Sequence, residues 1–187
     1  LQNVNVRNFV TTNATTMSNM FYGCSSVKNI DLRSFQVPLV ESMFDMFYGC
    51  SSVQTIMFNE PFNSFSCTTM RNMFYGCESL VNVNTGTFIT SNVKYFDYMF
   101  YGCKSLKALD LTTFDTQHTE SSAYYYSDKT TAVSANASPA TANAWVSQGL
   151  WNTGFTGMFE GCEALTDVVL DSFDTMNVTT YNNMFKN

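Results

Sequence analysis

The groups in this 187-residue chain that could do chemistry are six cysteines, a single histidine and a few carboxylate pairs. Cys24, Cys50, Cys77, Cys103 and Cys162 stand at one position of a recurring string, and Cys67 falls where other segments carry Val40, Val93 and Val178. All six therefore map to inward positions. Three chemistries are open to them: buried thiols packing as small hydrophobes, disulfides between stacked neighbours whose Cα atoms come within ~4.4–6.8 Å, or metal ligation. Metal ligation is the poorest fit, because widely spaced single cysteines lack the clustered C-x₂-C pattern of zinc sites. His118 stands near Asp115, but no base-orienting constellation recurs around it. Asp171 with Asp174 and Glu160 with Glu163 resemble a glycosidase acid and base, yet they occupy ordinary repeat positions and read as solvated surface. The sequence thus predicts no enzyme, no catalytic residue, no metal site and no cofactor.

What positions these residues is a repeat. Met20-Phe21-Tyr22-Gly23-Cys24 recurs as Met46 to Cys50, Met73 to Cys77, Met99 to Cys103 and Met158-Phe159-Glu160-Gly161-Cys162, with a sixth copy opening at Met184-Phe185. The Met-Phe pairs are separated by 26, 27, 26, 59 and 26 residues. A fixed period of about 20 to 50 residues marks a solenoid.

Phased on the cysteine, the first half of each coil reads apolar-x-x-apolar-x-apolar-x-x-Phe, as in Val27, Ile30, Leu32 and Phe35, or Leu106, Leu109, Leu111 and Phe114, or Leu165, Val168, Leu170 and Phe173. The apolar-x-apolar step is strand alternation and matches the L-x-x-L-x-L strand of a leucine-rich repeat. Coil four departs from it with Thr85, and in coil three Glu60-Pro61 adds a residue before Phe62, which predicts a bulged or distorted turn.

In the second half the apolar residues step by three and four: Val40, Met43, Met46 and Phe47 before Cys50, and Val93, Phe96, Met99 and Phe100 before Cys103. That spacing predicts a helix of two to three turns, stopped by a left-handed residue at Gly23, Gly49, Gly76, Gly102, Gly161 and, in the last copy, Asn187. Parallel strands stack ~4.8 Å apart and packed helices ~8–10 Å apart, so the strand side should be concave. The expected fold is an α/β solenoid: a leucine-rich-repeat-like right-handed superhelix of about six strand-turn-helix coils, with a parallel sheet on the concave side and short helices on the convex side. Residues 1–187 form one such solenoid, interrupted by an aromatic-rich insertion, 118–151, within the fifth coil.

The methionine stripe reads as core: Met20, Met46, Met73, Met99, Met158 and Met184 share one inward position, as do Met17, Met43 and Met70. Tyr22, Tyr48, Tyr75 and Tyr101 follow the Met-Phe pair in four consecutive coils before Glu160 and Lys186 break the column. They either cap the edge of the core or form an aromatic strip that contacts sugar or protein. The insertion holds Tyr124, Tyr125, Tyr126, Trp145 and Trp151, which fold back onto the solenoid or make a binding or subunit contact. Within it, Ser122 to Tyr126 and Thr130 to Ser134 are hairpin candidates, and Ala140 to Gln148 is a helix candidate capped at Ser138-Pro139.

Composition narrows the function. Nine Lys and Arg against fifteen Asp and Glu leave a net charge of −6, which excludes an electrostatic nucleic-acid binder and docking on anionic lipid. No apolar run approaches the ~18 residues of a membrane span, so no direct membrane insertion is expected of this segment. Asn13, Asn136 and Asn177 begin N-x-Ser/Thr sequons, a weak signal in an Asn- and Thr-rich chain.

The repeat resembles the 26-residue leucine-rich repeat of BspA-like bacterial surface proteins. The matching residues are Asn92-Val93, Met99-Phe100-Tyr101-Gly102-Cys103, Ser105-Leu106, Leu109-Asp110-Leu111 and Phe114-Asp115-Thr116. The resemblance implies a non-enzymatic extracellular or cell-surface protein, acting in adhesion or in protein or glycan binding; it supplies no fixed binding residues. Leu1 falls at the third position of the coil and Asn187 at the twenty-fifth, and neither end looks capped. The chain is then either a piece of a longer solenoid or, as the alternative function, a structural subunit of an extracellular filament in which solenoids self-associate end to end.

Overall fold

A computed structural model describes residues 4–117, 155–176, 178 and 181–187. Within them the apolar-x-apolar segments of four coils form strands: β1 Asn29–Leu32, β2 Thr55–Phe58, β3 Ala108–Asp110 and β4 Asp167–Val169. β1 pairs with β2 in parallel, Ile30 opposite Ile56 and Leu32 opposite Phe58. β3 pairs with β4, Leu109 opposite Val168. The one-coil offset between partners is what a solenoid requires, and the repeat solenoid stands.

The sheet is not continuous. Coil four runs between β2 and β3 without a strand of its own; on this side its backbone bonds include Ser79 N–H to Ser51 O at 3.1 Å, Val81 N–H to Gln54 O at 3.4 Å and Lys107 N–H to Val81 O at 3.3 Å. Thr85, at 1 % exposure, sits where the other coils place an apolar residue, and its hydroxyl donates to Asp110 O at 3.0 Å. That bond satisfies the buried polar atom. Glu60-Pro61 is a cis peptide, and Phe62 beyond it is fully buried and bridges Phe88.

The expected helices are absent among the described residues. Successive turns replace them: Met20 N–H bonds Met17 O, Tyr22 N–H bonds Asn19 O, and Cys24 N–H bonds Phe21 O. The N–H groups in between bond the next coil, Asn19 to Phe44 O at 3.0 Å, Phe21 to Met46 O at 2.9 Å and Gly23 to Tyr48 O at 2.7 Å. An α-helix would use both sets internally. Two left-handed residues per coil also forbid it: Asn19, Asp45, Asn72, Tyr98, Gly157 and Asn183 have φ of 54–61°, and the glycine four residues after the first five of them has φ of 68–72°. The glycines are left-handed as expected, but each serves a turn rather than a helix stop. Residues three and four apart still point inward, so Met43, Met46, Phe47 and Cys50 are all fully buried. With no helix layer, the argument for a concave strand side loses its basis. Both sides climb by hydrogen-bonded rungs.

A third column of bonds ties the coils. Thr11, Ser64, Thr90 and Thr116 share one repeat position, and each hydroxyl both donates to a carbonyl and accepts the N–H of one residue in the following coil. Thr90 does so with Asp115 at 3.1 and 2.8 Å, and Thr11 with Gln36 at 2.8 and 2.9 Å. The same ladder crosses the insertion. Tyr98 N–H bonds Thr156 O, Phe100 N–H bonds Met158 O and Gly102 N–H bonds Glu160 O, at 2.7–3.0 Å. No further coil lies between them.

Candidate binding surface

The turn ladder fixes the side chain that precedes each left-handed glycine, and this aligns the tyrosines. Tyr22, Tyr48, Tyr75 and Tyr101 stack face to face, with centroids 4.9, 4.5 and 4.5 Å apart and planes within 10° of parallel. Tyr22 is 53 % exposed and the other three are half-buried. Because each ring covers its neighbour's face, the column presents ring edges and a row of hydroxyls. Burial raises the Tyr48 and Tyr75 hydroxyls above the usual phenol range, and so these two stay protonated. Tyr98 stands edge-on against Tyr75 and Tyr101, at 6.5 and 5.7 Å. Its ring occupies the space a side chain at position 157 would need: a Cβ on Gly157 would lie 2.5 Å from two carbons of Tyr98. Where the tyrosines stop, the column continues as an ion pair, Lys186 Nζ to Glu160 Oε1 at 3.3 Å.

Beside this column lies a buried polar cluster that sequence reasoning missed. Asp45, Arg71, Asn72 and Asp97 are all at 6 % exposure or less. Asn72 Nδ2 donates to Asp45 Oδ1 at 2.9 Å. Burial pushes the carboxyls of Asp45 and Asp97 up to about 6, against the opposing pull of the Asn72 amide and Arg71 on Asp45 and of Arg71 on Asp97. Its members share no sequence motif; only the coil register, which puts Arg71 one coil from Asp97, brings them together.

The thiols form an inward column. Cys50 Sγ donates to Phe21 O at 3.0 Å, and Cys77, Cys103 and Cys162 repeat the bond to Phe47, Phe74 and Phe100 at 3.1–3.3 Å. All six cysteines are free; Cys24 is half-buried and the other five are buried. Burial pushes the Cys50 and Cys67 thiols up to about 12 and that of Cys162 to about 11, so these are protonated, weak nucleophiles. Met46, Met73, Met99 and Met158 are fully buried, Met184 is buried, and Met20 is half-buried.

On the strand side, Asp31 is held by Arg33 at 2.8 Å and Arg7 at 3.2 Å, which keeps its carboxyl well below the usual range. Lys28, Asn29, Lys107 and Asp110 are exposed there. Tyr124, Tyr125, Tyr126, Trp145 and Trp151, together with His118, Asn136, Asn177 and the hairpin and helix candidates of the insertion, lie outside the described residues. Among the described residues no helix is long and apolar enough to cross a membrane. No group of three or more His, Cys, Asp or Glu among them is placed to hold a metal ion.

Stacked parallel coils with one side chain per column define a repeat solenoid. The chain belongs to the family described as "Mycoplasma protein of unknown function, DUF285", whose model matches residues 54–145 and 131–187. Its repeats are of the BspA type: the model of the "BspA type Leucine rich repeat region" matches residues 1–91. No curated protein matches. A solved leucine-rich repeat protein of T. pallidum is 17 % identical, with a TM-score of 0.38 over 81 % of this chain, and the chain spans 60 % of that protein's length.

Proposed function

We propose that this protein is a non-enzymatic, extracellular or cell-surface leucine-rich-repeat protein that acts in adhesion by binding a protein or glycan, and that the tyrosine column is its contact. The observation that carries this reading is the column itself: four parallel rings, locked by the turn ladder, with one face of the stack open at Tyr22. Aromatic groups held rigid before binding lose little conformational entropy on contact, and their edges and hydroxyls suit both peptide and sugar hydroxyl partners. The BspA-type repeats support the surface location, and the reading needs no cofactor.

The test is attachment of beads carrying the 187-residue chain to epithelial monolayers, untreated or stripped with protease or glycosidase. Replacing Tyr22, Tyr48 and Tyr101 by Ser should lower attachment about tenfold or more, roughly 1.4 kcal/mol, with the circular dichroism unchanged. The enzyme that abolishes attachment identifies the class of partner. Equal attachment by the triple variant would sink the reading.

A further inference from the structure

We infer that the ligand of the tyrosine column is an uncharged, hydroxyl-rich glycan chain, lying along the solenoid axis in the lane between the tyrosine edges and a neighbouring file of serines. This rests on the reading that the column is the contact, and it adds the class of partner and the second edge of the site.

The floor of the lane is backbone. Each tyrosine of the column is followed by a left-handed glycine and then by a cysteine, of which Cys50, Cys77 and Cys103 are buried. The glycines stack on one another. A Cβ on Gly49, Gly76 or Gly102 would lie 3.9, 3.7 or 3.8 Å from the Cα of the glycine one coil back, and no side chain from another coil reaches within 4 Å of it. The lane is therefore bare up to the corner that follows the cysteine. There the second residue is Ser52, Ser79 and Ser105 in three successive coils, each half-buried. The residue before it is Ser51, then Glu78 and Lys104, and these two charges pair with each other at 3.3 Å.

The two edges define the partner. Tyr48, Tyr75 and Tyr101 line one, with ring centroids 4.5 Å apart, and the three serines line the other. Tyrosine and serine hydroxyls each donate and accept, the same dual capacity as a sugar hydroxyl. The ring edges carry the positive end of the aromatic quadrupole, which suits sugar oxygens. A peptide finds less to hold. An added strand needs unpaired backbone groups along the edge it joins, and here the Gly49 and Gly76 N–H groups are spent on Tyr75 O and Tyr101 O at 2.7 Å. The N–H groups of Tyr75 and Tyr101 are spent on Asn72 O and Tyr98 O at 3.0 and 3.1 Å. Charge disfavours an anionic glycan, because the lane runs on past Glu160 and Glu163 and the whole chain carries −6. Each rung offers a neutral ligand only a few hydroxyl contacts, so affinity accumulates with the number of rungs a linear chain covers.

Native gels of the 187-residue chain, cast with dextran, galactomannan or xyloglucan and separately with hyaluronan or heparin, test this alongside attachment to epithelial monolayers whose vicinal diols have been oxidised with periodate. At least one neutral polysaccharide should retard the chain and neither anionic one should, and periodate should lower attachment about tenfold or more. Replacing Ser52, Ser79 and Ser105 together by Ala, with every tyrosine in place, should weaken retardation and attachment about tenfold, with the circular dichroism unchanged. Retardation by none of the neutral polysaccharides, equal or stronger retardation by the anionic ones, or undiminished binding by the Ala variant would overturn the inference. Attachment that needs the tyrosines yet survives periodate overturns the glycan and leaves the tyrosine contact standing, whereas attachment indifferent to the tyrosines removes the contact itself.

Discussion

The hydroxyl of Thr116 donates to Asp174 O at 3.1 Å and accepts the Asp174 N–H at 2.6 Å, across 58 positions of sequence. In the uninterrupted coils the same pair of bonds spans 25 positions, as from Ser64 to Ile89. The reciprocal bond is therefore a property of the coil, indifferent to how much chain lies between its ends. It seats coil six on coil five on the near side of the insertion, while the Gly102-to-Glu160 rung seats coil five on coil four on the far side.

Thr116 is 1 % exposed, so Thr116→Val leaves the N–H and the carbonyl of the half-buried Asp174 without their partner. The expected loss of stability is about 1–3 kcal/mol, read as a lower urea midpoint with an unchanged slope. Thr116→Ser keeps the hydroxyl, as Ser64 does in coil three, and should stay within about 1 kcal/mol of the parent. A Val variant as stable as the Ser variant would show that the bond contributes nothing net.

Gly157→Ala meets two obstacles together. Its φ of 57° costs a side-chain-bearing residue about 1–2 kcal/mol, and the new methyl would collide with the Tyr98 ring. The thermal midpoint should fall by several degrees. In the background of Tyr98→Ser the collision disappears and only the backbone cost persists, so the same substitution should do less harm there. An equal drop in both backgrounds would mean that the ring yields freely.

Much of this was legible in the sequence because each inward position is repeated down a column. The Met-Phe-Tyr-Gly-Cys string, the strand alternation around Ile30 and Leu32, and the left-handed glycines all declare themselves by period and residue type. The helix expectation failed because inward steps of three and four are shared by a helix and by a train of turns. What separates them is a nonlocal fact, the destination of the Phe21 and Gly23 N–H groups. A local clue existed in Asn19, Asp45, Asn72 and Asn183, residue types that tolerate left-handed φ, standing one place before the methionine. The Asp45, Arg71 and Asp97 cluster left no such clue, since it exists only once coils two, three and four are stacked in register.

The thiols should react in a set order. Cys24 is half-buried at the first rung of its column, whereas the other five are buried. Under native conditions at pH 8 an alkylating reagent should label Cys24 at least about a hundredfold faster than the rest, whose modification requires opening of the coil stack. In denaturant without reductant all six should label. Fewer than six would reveal disulfides, and uniform native labelling would contradict the packed column.

The buried carboxyls set the pH dependence. Asp45 and Asp97 have folded pKa values of about 6 against an ordinary 3.8, so the folded chain binds protons more tightly than the unfolded one. The penalty of burying their charge is fully present above pH 6 and disappears as the pH falls toward 3.8, so stability rises on acidification across that window. Asp31 acts in the opposite sense: its carboxyl is lowered by the Arg33 and Arg7 bonds, and that contribution is lost only as the pH falls below 3.8. The exposure of its partners Arg33 and Arg7 makes it the smaller effect. Urea midpoints should therefore climb from pH 7.5 to about pH 4.5 and fall again below pH 3.8. Asp97→Asn removes one of the two titrations, so the climb should shrink whatever the variant's absolute stability. A midpoint that drops steadily from pH 7.5 downward would place the dominant carboxylates elsewhere.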